Sequence, residues 1–214
     1  MHSTTFETMN TNQPDRNKSG ITTIVIAALM LWLGLATWIA SSGHLVGHPG
    51  SPPTAVALSA IVPIVAFLTA FRLFRSFRDF VLTFDLRLAA GIQAWRFAGL
   101  GFLDLYANRV LPGTFAWPAG VGDMLVGVTA PWIILAMIRH PEYTAGRSFA
   151  LWNLFGILDL VVALGAGGLT GWLSHGEITM RPITQLPLAF IPAYLVPIFV
   201  MLHLIALFQR DRMH

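Results

Sequence analysis

Six stretches of this chain are each long enough and apolar enough to cross a lipid bilayer. A helix needs about 20 apolar residues to span about 30 Å of hydrocarbon. Lipid also offers no partner for backbone amides, so the sequence predicts an all-α integral membrane protein with six transmembrane helices. The predicted spans are Ile21–Ser41, Pro53–Leu73, Leu86–Asn108, Phe115–Ile138, Ser148–Leu173 and Leu186–Phe208.

Composition supports the lipid bilayer as the main partner of the chain. Charged residues make up 11% of the sequence, whereas soluble domains carry roughly 25%. The formal charge of +3 does not indicate nucleic acid, because the arginines flank apolar segments. The sequence has 0 cysteines, which excludes disulfides and thiolate chemistry.

The distribution of basic residues predicts the orientation and the domain limits. With a cytoplasmic N-terminus, the predicted outer loops hold only Arg109 and Arg181. The predicted inner segments hold Arg16, Lys18, Arg72, Arg75, Arg78, Arg87, Arg139, Arg147, Arg210 and Arg212. We therefore expect a disordered cytoplasmic tail over 1–20, a transmembrane domain over 21–209 and a cytoplasmic tail over 210–214. The composition resembles that of small multi-pass bacterial membrane proteins, which favours the bacterial inner membrane; a homo-oligomer is an open alternative to a monomer.

Short sequence echoes suggest three parallel-related helical hairpins. Gly101–Leu105 of the third span is repeated in pattern by Gly156–Leu160 of the fifth, with a tryptophan a few residues before each. Chance is the alternative, because such residues are common in membrane helices. The segment Arg75–Asp85 reads as a short amphipathic helix at the inner surface or as an extension of the second helix.

Four ionisable residues interrupt the apolar spans and mark the candidate site: Arg96, Asp104, Asp123 and Asp159. A charge at the bilayer centre costs about 2.5–3.5 kcal/mol, so such residues usually have partners. Counted along the spans, Arg96 and Asp159 lie at the same depth, Asp123 slightly outward and Asp104 nearer the outer surface. We predict that Arg96 pairs first with Asp159 and second with Asp123.

Other polar residues are predicted to extend this intramembrane site. Gln93 shares a helix face with Arg96, while Asn153 and His203 lie deep in the inner half of the domain. Because one arginine cannot neutralise three carboxylates, a carboxylate left over tends to take up a proton or bind a cation. A purely structural ion pair is the alternative.

Backbone breakers suggest where the helices bend or pack closely. Proline lies inside each even-numbered span, at Pro63, Pro131 and Pro197. The run Pro118–Asp123, with two glycines, is typical either of a broken helix that binds a ligand or of a tight helix contact.

Cofactors and metals are weakly indicated. His44 and His48 in the first outer loop, with His175 and Glu177 in the last, are weak candidates for a divalent-metal site. His203 alone lies deep in a span, which argues against a haem. We expect no cofactor, and the sequence carries no familiar enzyme motif.

Three functions fit these observations. The first is a transporter or channel-like protein for a small solute or ion, with the Arg96 and Asp159 region as its binding site. The second is a membrane-embedded binding or assembly protein in which the ion pair is structural. The third is a membrane enzyme acting on a lipid or quinone, which requires Asp104 or Asp123 to be reachable.

Overall fold

The computed structural model describes residues 13–47, 51–173 and 177–212, and within these ranges it is helical and contains no strand. The helices are α1 (Gln13–Ser41), α2 (Thr54–Leu73), α3 (Arg75–Val81), α4 (Leu86–Gln93), α5 (Leu100–Ala107), α6 (Gly113–Arg139), α7 (Arg147–Leu173) and α8 (Val196–Asp211). Short 3-10 segments cover Ala94–Gly99, Pro141–Ala145 and Arg181–Thr184, and a π-helical turn covers Ile191–Leu195.

Five helices of the described chain are long and apolar enough to cross a membrane, with mean hydropathies of 1.9 to 2.2. They are Gly20–Ser41, Thr54–Leu73, Gly113–Arg139, Arg147–Leu173 and Ile191–Asp211. Five of the six predicted spans are therefore confirmed as long apolar helices. The all-α prediction is confirmed for the described residues.

The third predicted span differs from the prediction of one continuous helix. Residues 86–107 form α4, a 3-10 segment and α5 in direct succession. The 3-10 segment Ala94–Gly99 packs closely along α6, and two glycines of α6, Gly120 and Gly127, make room for it. Tertiary packing has overridden local helix preference here, and no proline marks the break.

The helix bundle has an upper end and a lower end, each of which is defined by the segments that it carries. The upper end carries the connections 42–47 and 108–112, and the lower end carries α3 and the Pro141–Ala145 segment.

Helix α1 begins at Gln13 rather than at the predicted Ile21, so part of the predicted tail is helical. Residues 1–12 lie outside the described ranges.

The predicted amphipathic segment forms the short helix α3 at the lower end. Its apolar side packs on the protein: Val81 is buried, and Phe77 meets Phe67 of α2 edge to face at 5.9 Å. Gln209 of α8 donates hydrogen bonds to the carbonyls of Val81 and Phe84, at 3.1 and 2.8 Å. These contacts tie α3 to α2 and α8.

The proline-containing helices continue through most of their prolines. Helix α2 runs through Pro63, and α6 runs through both Pro118 and Pro131. The alternative of a broken helix at Pro118–Asp123 is therefore wrong, and the glycines there serve close packing. Pro197 lies at the start of α8, directly after the π-helical turn.

The repeated sequence pattern of the third and fifth spans places its two aspartates in different environments. Asp159 is buried inside the bundle, whereas Asp104, its counterpart in the echo, is exposed and is bonded by the Asn108 side chain at 3.2 Å. The three-hairpin architecture stays a prediction.

Replacing Gly127 by alanine is expected to destabilise the protein. The new methyl group would overlap the backbone of Arg96 and Phe97, which cannot move aside without displacing the whole 3-10 segment. Overpacking of this kind costs about 1–3 kcal/mol, which we expect as a lower midpoint of thermal unfolding followed by tryptophan fluorescence in mild detergent.

The matched control for that measurement is Gly101→Ala. A methyl group at Gly101 meets nothing within 4 Å, so the control should unfold at or slightly above the wild-type temperature. Equal midpoints for both variants would contradict the close approach of the 3-10 segment to α6.

Candidate functional site

The centre of the bundle holds a buried arginine that is shared by two carboxylates. The Arg96 side chain is 0% exposed, and its Nε lies 2.7 Å from Oδ1 of Asp123. Its Nη2 forms a second ion pair with Oδ2 of Asp159. The structure thus places both predicted partners on one guanidinium, from α6 and α7 respectively.

The remaining arginine nitrogen contacts α7 and α8. Nη1 donates to the carbonyl of Gly156 at 3.2 Å and lies 3.2 Å from Nε2 of His203. The guanidinium carbon is also 5.9 Å from the centre of the Phe199 ring, a cation–π distance. All three nitrogens of Arg96 are engaged, so this side chain joins α6, α7 and α8 to the 3-10 segment.

The hydrogen-bond direction on the lower side of Arg96 follows from donor chemistry. An arginine only donates, so Nε2 of His203 accepts and the imidazole carries its proton on Nδ1. That Nδ1 lies 2.9 Å from Oδ1 of Asn153, whose Nδ2 donates to the carbonyl of Phe149 at 2.8 Å. The result is a chain of hydrogen bonds that runs from Arg96 through His203 and Asn153 toward the lower end, with each group donating to the next.

Three of the polar side chains lie against glycines of neighbouring segments. A Cβ atom at Gly99 would press on Asp123, one at Gly122 would overlap the Asp159 carboxylate, and one at Gly156 would overlap the His203 ring. Each polar group occupies the space of a missing side chain. The glycines are visible in the sequence, but their partners are not.

Gln93 lies beside the cluster without joining it. Its Nε2 donates to the carbonyl of Phe199 at 3.0 Å. This contact agrees with the prediction that Gln93 and Arg96 share one face, which points into the bundle. Its Oε1 is buried and accepts no hydrogen bond within the described part of the chain.

A cavity of about 900 Å³ lies above the cluster and reaches Asp123. Its walls come from α2, α5, α6 and α7, and residues of the upper end such as Leu45 and Arg181 also line it. The Asp123 side chain is 15% exposed, compared with 6% for Asp159 and 0% for Arg96. Asp123 is therefore the charge through which the cluster meets the cavity.

The space below the cluster is closed. The region among Gln93, Asn153, His203 and Ala206 has no volume for a water molecule. The polar centre therefore borders a cavity on its upper side and closely packed side chains on its lower side.

The other predicted site residues lie apart from the cluster. Asp104 is exposed on α5, so its inclusion in the central site is not supported by the geometry. The enzyme hypothesis requires Asp104 or Asp123 to be reachable. Asp104 is exposed and Asp123 lines the cavity, so this requirement is met, and the hypothesis stays a prediction.

The weak metal candidates are only partly described. The His44 ring stacks on Trp38 at 5.4 Å, and Glu177 is exposed, while His48 and His175 lie outside the described residues. Within the described ranges, no group of three potential ligands is arranged to hold a metal.

Sequence reasoning missed the cavity and its contacts. No periodicity indicates that a cavity separates the upper halves of α2 and α7, or that Arg181 lines it. The glycines of Gly165–Gly168, of which three line the cavity, are the one sequence signal that points to this region.

Together, the fold and this site define an all-helical protein, consistent with a membrane protein, that is centred on a buried ionic cluster. The chain belongs to a family described as a domain of unknown function, DUF8737, whose model matches residues 53–209. The matched region runs from α2 into α8 and includes every residue of the cluster. Comparison with curated proteins gave no match, and comparison with solved structures gave none either.

Removing the arginine charge is expected to destabilise the fold strongly. In Arg96→Gln, two carboxylates would share a buried site without a positive charge. Loss of one partner of a buried ion pair lowers the free energy of unfolding by about 3–5 kcal/mol. Thermal unfolding in a fixed detergent, read from the tryptophans, measures the loss.

Neutralising the whole cluster tests whether that loss is electrostatic. The triple variant Arg96→Gln, Asp123→Asn and Asp159→Asn keeps similar shapes without any charge, and it should recover most of the stability. A single variant Arg96→Gln that unfolds at the wild-type temperature would show that the cluster does not hold the helices together.

Proposed function

We propose that this protein is a small membrane transporter whose binding site is the upper cavity with Asp123 at its base. The observation that carries the proposal is the continuity between a ligand-sized cavity and a buried ionic cluster. Cavities of about 300–1,000 Å³ with few polar groups are typical of small-molecule sites, and ionisable groups within membrane helices often mark substrate pathways.

The asymmetry of the site also supports transport. The cavity lies on the upper side of the cluster, while the space below His203 is closely packed. A cavity on one side of the site and a closed side opposite is the arrangement that an alternating-access carrier has in each of its two end states. Arg96 contacts α6, α7 and α8 at once, so a ligand at Asp123 acts on the joint between these helices.

We also propose six membrane crossings with both termini on the cytoplasmic side, in a bacterial inner membrane. The segment 86–107 leads from α3 at the lower end to the start of α6 at the upper end, which supports a crossing by α4, the 3-10 segment and α5 together. The arginines in the last turns of α2, α6 and α8, at Arg72, Arg139 and Arg210, support a cytoplasmic lower end.

A structural role for the cluster is the second candidate function. It is favoured by the saturation of Arg96, whose three nitrogens all have partners. In that case the protein is a binding or assembly protein with a fixed centre, and the lower end stays closed at all times.

Cysteine accessibility separates these two candidates without knowledge of the ligand, and the chain has 0 native cysteines. Ala206 is 3% exposed and borders the closed lower region. If the protein alternates, a conformation open at the lower end exists as a minor state of about 0.1–10%. Ala206→Cys in lipid nanodiscs should then react with a charged thiol reagent at that fraction of an exposed cysteine's rate.

The control is Ala60→Cys on α2, which is 0% exposed and borders neither region. Its rate reports reaction through general unfolding. If Ala206→Cys reacts no faster than Ala60→Cys, alternating access is refuted and the structural candidate is favoured.

A further inference from the structure

We propose that the upper cavity binds an organic ammonium compound, with its cationic head at Asp123 and its apolar body along the cavity walls. This inference rests on the proposed function and names the chemical class of its ligand. It follows from the charge, the free acceptor and the walls of the cavity.

The base of the cavity holds more carboxylates than positive groups. Two carboxylates share one guanidinium, and Asp123 is the more exposed of the two. Its Oδ1 accepts from Arg96, and within the described ranges its Oδ2 accepts no hydrogen bond. This oxygen is an acceptor for a donor group on a ligand, and the local charge favours a cationic one.

The walls beside Asp123 exclude a bare metal ion. Calcium binds six to eight oxygen ligands, and magnesium keeps near-octahedral oxygen coordination. The cavity residues closest to Asp123 in the fold are apolar: Ala119 lies one turn above it on α6, and Leu160 follows Asp159 on α7. One carboxylate among hydrocarbon groups cannot replace the hydration shell of such a metal ion.

The same walls suit an organic cation. Phe102 and Phe115 pack edge to face at 5.2 Å and form an aromatic part of the wall between Asp123 and the upper end, where they offer an apolar surface to the body of the ligand. Asp123 lies ten residues into α6, so it is about 15 Å below the upper end at 1.5 Å per residue. That depth accommodates an extended apolar body between the head group and the upper end.

Arg181 does not reverse the charge preference. It lines the cavity from the 3-10 segment Arg181–Thr184 and is exposed, so water and salt screen its charge. The buried charge at the base, which meets the ligand away from water, belongs to Asp123.

The test is photolabelling of the full chain in lipid nanodiscs. The probe is a straight-chain alkylamine with a diazirine in its chain, and the carboxylic acid of the same chain is the comparison probe. Peptide mass spectrometry locates the labelled residues. We expect the amine to label the cavity walls and the acid to label them weakly.

Two variants each remove one feature that the proposed ligand needs, either the charge of Asp123 or the space of the cavity. Asp123→Asn removes the charge-assisted contact and should lower cavity labelling by the amine about tenfold or more. Gly165→Leu fills the cavity, because Gly165 lines it and an added Cβ there meets nothing within 4 Å, and it should abolish labelling without disturbing the fold.

Each variant has a matched control outside the cavity. Asp104→Asn removes an exposed carboxylate, and Gly101→Leu adds the same side chain where a Cβ also meets open space. Both controls should label as the wild type does. Thermal unfolding of all four variants shows which of them keep the fold, and Gly165→Leu keeps the test valid if Asp123→Asn does not fold.

The outcomes separate the ligand class from the function. If the acid labels the cavity as well as the amine does, or if Asp123→Asn labels like wild type, the ammonium class is overturned while a ligand-binding cavity stands. If neither probe labels the cavity, the ligand class is overturned along with the cavity as the binding site.

Discussion

The structure depends on one interaction, the sharing of a fully buried guanidinium by two carboxylates. Ions taken out of water carry a large desolvation cost, which only close and well-directed partners can offset. Arg96 meets that condition by contacting α6, α7 and α8 from the 3-10 segment. Because several helices must be in place for the charges to be paired, this interaction favours one arrangement of the bundle over its alternatives.

Glycines make that arrangement possible. The 3-10 segment lies against α6 at Gly120 and Gly127, and the three polar side chains occupy the spaces over Gly99, Gly122 and Gly156. In a membrane, where lipid competes with apolar side chains for contact, small residues allow the close approach that packing requires. Close packing and charge pairing therefore depend on the same short segments.

How much of the fold and of the site can be predicted from the sequence depends on which interactions are local. Spans such as Thr54–Leu73 are read from length and hydropathy alone, because lipid imposes both. The partners of Arg96 could be predicted from depth, since helical rise converts residue number into height. The 3-10 break at Ala94–Gly99 could not, because it arises from contact with α6 and leaves no local mark. The cavity also has no sequence signature beyond its glycines, since an empty space is set by how distant helices diverge.

The chain of hydrogen bonds that descends from Arg96 has a fixed direction. Protons move along hydrogen-bonded groups only if each group can both release and accept a proton, and a guanidinium cannot give up its proton under physiological conditions. Every donor from Arg96 to the Phe149 carbonyl therefore keeps its direction. The line of polar groups through the lower half of the bundle therefore does not act as a proton wire, because the arginine at its upper end does not release a proton.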